Sequence, residues 1–102
     1  MDIQSLINRL EREWDLEQGF LGKLRMGILD VDDFSRLKET LESIDFKAET
    51  IVNRRIISLL WYIPLFMHWQ RERFADDDKK LQFLDRAINE ATSILENILG
   101  VP

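Results

Sequence analysis

His68 is the only histidine of the chain, and cysteine is absent. Proton transfer near neutral pH is histidine chemistry, so an acid–base site would have to pair this one ring with a carboxylate. Its sequence neighbours are Met67 and Trp69, and such apolar surroundings favour a hydrogen-bonded structural role. A pocket around His68, Tyr62 and Trp61 is the one arrangement from which an enzyme or small-molecule binder could be built. Leu65 stands where the Glu-x-x-His pair of di-iron bundles needs a glutamate, so no metal site is expected. The lack of cysteine excludes zinc ribbons, thiol nucleophiles and disulfide frameworks. Ser5, Ser35, Ser43, Ser58 and Ser93 have no nucleophile elbow and no base beyond His68. The chain is expected not to be an enzyme, and no cofactor is implied.

Asp30-Val31-Asp32-Asp33 invites a calcium reading. An EF-hand loop starting at Asp30 would need glycine at position 35 and glutamate at 41, where Ser35 and Leu41 stand. Helix capping by Asp30 or Asp32 fits better, with the other carboxylates favouring the positive helix end. Gly19, Gly22 and Gly27 lack the preceding strand and the Gly-Lys-Ser/Thr ending of a phosphate loop. Gly27 suits a left-handed helix stop, and Gly22 a close approach between elements.

The residues best suited to recognition lie in the uncharged run Ile56–Trp69. Arg55, Ser58, Tyr62, Leu65 and Trp69 fall at heptad spacing on one stripe, mixing arginine with amphipathic aromatics, the residue types enriched at interface hot spots. The opposite side, Val52, Ile56, Leu59, Leu60, Ile63, Phe66 and Met67, is wholly apolar and reads as core. The bland alternative is that Tyr62 and Trp69 cover the edge of that core with their polar atoms at solvent.

These residues need helices to position them. Ile3, Leu6, Ile7, Leu10 and Trp14 make the stripe of an amphipathic helix with Asp2 or Ser5 as its N-cap. Gly19 to Gly27 reads as a short helix with glycine at both margins. Phe34, Leu37, Leu41 and Ile44 predict a helix to about Ser43. A long apolar helix is expected from about Ala48 to Phe74, kinked at Pro64, with Ile56–Trp69 the least exposed segment. Its apolar run is too short and too closely flanked by arginines to span a membrane. Leu81, Leu84, Ile88, Ala91, Leu95 and Ile98 predict the last helix, stopped by Gly100 and Pro102. The expected fold is all-α, one domain over residues 1–102, with four to five helices around the kinked central one.

Residues 1–50 hold seven Lys/Arg against twelve Asp/Glu, so the whole net charge of −5 lies in the first half. Nucleic-acid binding needs clustered positive charge and is not expected. The start Met-Asp-Ile-Gln-Ser has no signal-peptide pattern, so a cytoplasmic location follows. In size, acidity and helix content the chain resembles the broad class of small bacterial immunity and antitoxin proteins. One-sided acidity, missing catalytic groups and aromatic residues suited to a surface lead to the expectation of a protein-binding module, an inhibitor of a basic protein such as a nuclease toxin. The expected partner-binding residues are Glu13, Trp14, Asp15, Glu17, Asp32, Asp33, Arg55, Tyr62 and Trp69. The alternative is a self-associating protein, a homodimer that hides the apolar surplus of residues 56–69.

Overall fold

A computed structural model describes residues 2–46 and 51–102, and no strand occurs among them. The helices are α1 (Ile3–Trp14), α2 (Phe20–Arg25), α3 (Val31–Glu42), α4 (Arg54–Trp61), α5 (Ile63–Trp69) and α6 (Asp78–Leu99), with a 3₁₀ turn Gln70–Phe74 between the last two. Counted with its 3₁₀ turn as one interrupted unit, α4–α5 brings the total to five. The all-α fold expected from the residue periods is therefore the one observed.

Caps set the boundaries. Asp2 accepts from the Ser5 amide at 2.8 Å, Asp30 from Asp33 at 3.0 Å, Asn53 from Arg55 at 2.9 Å, and Asp77 from Lys80 at 3.1 Å. Each satisfies an amide that the first helical turn leaves without a backbone partner. Gly27 ends α2 at φ +81°, with its amide bonded to Leu24 O and that of Ile28 to Lys23 O. This is a Schellman stop, as its glycine suggests.

The overall extents are 44 × 30 × 19 Å. The short dimension is about two helix diameters, so the helices form two layers. α1 packs on α2, α3 and α4, α6 packs on α3 and α5, and α2 sits between, touching α1, α3 and α5. Phe20, Leu21 and Leu24 of α2 are fully buried, joined by Leu10, Leu37, Leu41, Leu60, Met67 and Leu84.

Three expectations about the apolar run are corrected. The helix begins at Arg54, with Ile51 and Val52 outside it, and Ala48 lies beyond the described residues. It also breaks: Tyr62, at φ −82° and ψ −14°, separates α4 from α5, and Pro64 falls in the first turn of α5. A proline there costs little, because first-turn amides have no partner within their own helix. Nor is the run the least exposed segment. Ile56, Leu59, Leu60, Ile63, Phe66 and Met67 are buried as expected, but Trp61 and Trp69 are each 57% exposed. Freedom from charge does not mean cover on all sides, and the most enclosed helix is α2.

Candidate functional site

Two of the expected surface carboxylates are spent inside the molecule. Glu13 is only 2% exposed. Arg36 donates to it twice, from Nε to Oε2 at 3.0 Å and from Nη2 to Oε1 at 2.8 Å. The Phe20 amide donates to the same Oε1 at 3.1 Å. Gly19, the N-cap of α2, has no side chain to offer, so a carboxylate from α1 caps α2 instead and places a negative charge at its positive end. A Cβ at Gly19 would collide with the backbone of Arg12 and Glu13, and one at Gly22 with that of Asp15.

Asp33 is the second buried carboxylate. It accepts from Arg36 Nη1 at 2.8 Å and lies 2.7 Å from Lys23 Nζ. Burial pushes its carboxyl up, but the hydrogen bonds from Lys23 and Arg36 outweigh this and hold it below the usual aspartate range. The same contact with Asp33 raises Lys23, and the Glu13 bonds raise Arg36. Glu13 and Asp33 are thus corrected from surface steering groups to the ionic joint of α1, α2 and α3. A signal was present: Glu13 is three residues after Leu10, and Asp33 four before Leu37, so both fall on buried stripes.

The aromatic residues assemble on the other side of α1. Trp14 lies against Phe66 at 5.0 Å between ring centroids and stacks with Tyr62 at 6.1 Å, and its indole Nε1 donates to Leu59 O at 3.2 Å. Tyr62 meets Trp61 at 5.2 Å and Trp69 edge-on at 5.8 Å. The Arg25 guanidinium lies 5.0 Å over Phe66. Half-buried Tyr62 is therefore the hub, with Trp14 and Phe66 inward of it and Trp61 and Trp69 at solvent. Tyr62 agrees with the core-edge reading and Trp69 with the exposed one. Trp61, exposed to the same degree as Trp69, is the residue the heptad stripe left out.

An open groove of about 400 Å³ runs between α1 and α4, lined by Trp14, Leu59, Tyr62, Ser58 and the charged Glu11, Asp15, Arg25 and Arg55. Arg55 Nε faces Glu11 Oε1 at 3.6 Å. The groove thus joins four of the expected residues, Trp14, Asp15, Arg55 and Tyr62. Asp15 also shapes the turn after α1, accepting from the amides of Glu17 and Gln18 at 3.0 and 2.9 Å. Glu17 and Asp32 are exposed and line neither the groove nor the ionic joint.

His68 lines a hollow with Trp69, Arg71 and Glu72, and Tyr62 and Trp61 are not among its walls, as the pocket pictured around those three would need. Among the described residues no group of His, Asp and Glu is placed to hold a metal ion. None of their helices is long and apolar enough to cross a membrane. No family model matches the chain, and no curated protein or solved structure matches it either.

Proposed function

We propose that this chain is a protein-binding module that docks its partner on the α4–α5 face and the adjoining groove. The observation that carries the reading is the pair Trp61 and Trp69, each 57% exposed and both in contact with the half-buried Tyr62. Tryptophan left at solvent on a supported aromatic platform is typical of interface anchors. Leu65, one helical turn from each, extends the same apolar stripe.

The finer reading is an inhibitor of a basic protein, of the immunity or antitoxin type. It is supported by Glu11, Asp15 and Glu17, exposed carboxylates at and beside the groove. Charges at an interface rim act mainly on association, whereas buried aromatics act on dissociation. The test is capture by the immobilised protein in its native extract, repeated with the Trp61→Ala/Trp69→Ala variant, followed by rate constants with the purified partner. The partner should be lost by the variant, and its association should slow with salt and with amides at Asp15, Glu17 and Asp32. A partner retained by the variant ends the assignment of the face, and salt-independent association ends the basic-partner reading.

A second reading is self-association through the same face. It draws on the apolar surface that this face leaves at solvent, Trp61, Leu65 and Trp69, which a second copy could cover. Solution mass separates the two: a tight dimer dispersed by the double tryptophan variant would replace the inhibitor reading.

A further inference from the structure

A second cleft, more enclosed than the aromatic groove and about 430 Å³ in volume, lies between α1 and α3. A helix turns about 100° per residue, so Glu11, Trp14 and Asp15 leave α1 on one side and Arg9, Arg12 and Glu13 on the other. The cleft is walled by Arg9, Arg12, Arg36, Glu39, Thr40 and Ser43, with Glu13 behind Arg36. Three arginines therefore border one cleft in the acidic half of the chain.

Their states differ. Arg36 is fixed by bonds to Glu13, Asp33 and the Gln18 carbonyl, which leave one Nη1 proton uncommitted. Arg9 and Arg12 form no ion pair with any described residue. Glu13 is consumed by Arg36, so Glu39 is the one wall carboxylate left to offset them. The Ser43 hydroxyl donates to the Thr40 carbonyl at 2.6 Å and is already committed. Two unpaired arginines one turn apart repel each other, and an anion between them would relieve that cost.

The geometry points to a binding site for a phosphate dianion, free or carried by a small ester, gripped by Arg9 and Arg12 against the fixed Arg36. Guanidinium forks from two helices suit an anion with three acceptor oxygens and a double charge better than a carboxylate. The volume lies within the range of small-molecule sites. Two free cations in one short cleft cannot follow a nucleic-acid backbone, so the guest is a small molecule.

The test titrates the ¹⁵N-labelled full chain with inorganic phosphate, and in parallel with a nucleoside monophosphate, at about pH 7.5 where phosphate is largely dianionic. Sodium chloride holds the ionic strength constant. Saturable amide shifts centred on Arg9, Arg12, Arg36, Thr40 and Ser43 are expected. The Arg9→Gln/Arg12→Gln variant, which removes no ion pair, should weaken them about tenfold or more. Tighter binding of phosphate identifies the free ion as the guest, and tighter binding of the nucleotide identifies an ester. Shifts that do not saturate, that spread over the surface, that chloride reproduces, or that survive the double variant overturn the site. The tryptophan variants should leave this titration unchanged, so its outcome is independent of the docking face.

Discussion

Arg36 grips Glu13 through two nitrogens, at 2.8 and 3.0 Å, and the same carboxylate caps the first amide of α2. Glu13→Gln keeps the shape of the side chain but leaves Arg36 with Asp33 as its one carboxylate partner. Breaking one side of a buried pair costs about 3–5 kcal/mol, and the exposed third of Arg36 reduces that to about 2–3 kcal/mol here. Urea unfolding measures it. A loss under 1 kcal/mol would return Glu13 to the surface role that its charge alone suggests.

The glycines make a sharper contrast. Gly22→Ala forces a methyl group into the backbone of Asp15, whereas at Gly27 nothing lies within 4 Å and only the positive φ resists a side chain. Gly22→Ala should cost about 3 kcal/mol or prevent folding, and Gly27→Ala about 1 kcal/mol. Equal melting temperatures for the two variants would refute the tight junction of α1 and α2.

The folded Asp33 carboxyl titrates below its ordinary value, so its stabilising contribution is complete above about pH 4 and is lost as pH falls through the lower folded value. Lys23 runs oppositely: its raised ammonium stabilises below about pH 10 and ceases to do so as pH climbs through the folded value. Melting temperature should therefore drop on acidification below about pH 4. Asp33→Asn should lower the plateau and flatten that acid limb. An acid limb of unchanged slope in the variant would assign the acid sensitivity elsewhere.

Pro64 sits where a helix tolerates it, in the first turn of α5. Pro64→Ala should lose only about 0.5–1 kcal/mol, chiefly because the unfolded chain gains freedom. A rise in melting temperature would mean that the break at Tyr62 is strained and that a continuous helix is preferred.

Trp61→Ala should change stability by no more than about 0.5 kcal/mol, and Trp69→Ala by about 1 kcal/mol through its edge contact with Tyr62. Tyr62→Ala should cost more, about 2–3 kcal/mol, because that ring also touches Trp14, Trp61 and Phe66. Thermal melting ranks the three. If Trp61→Ala were the most damaging, the exposed tryptophans would be core residues and the docking face would lose its basis.

Much of this was legible from period and punctuation. The stripes of α1, α3 and α6 and the apolar side of α4–α5 follow the spacing of their residues, and Asp2, Asp30 and Gly27 mark ends where they stand. The burial of Glu13 and Asp33 was less legible, because charge normally means solvent unless a partner is known. Their partner Arg36 is a neighbour of Glu13 only after α2 has turned the chain. The exposure of Trp61 was hidden for a related reason: composition measures how apolar a segment is, not how many helices reach it. Arg9 and Arg12 reveal nothing until α3 brings Arg36 beside them.

The sequence distances spanned by two contacts set different costs of loop closure. Arg36 meets Glu13 across 23 residues, while Trp14 reaches Leu59 across 45. Closing the longer loop costs roughly 0.6 kcal/mol more in chain entropy. The glycine-tight, ion-clamped corner of α1, α2 and α3 is thus the part that diffusing chain ends find at lower cost. A difference of this size is about a threefold bias in closure probability toward the α1–α2–α3 corner.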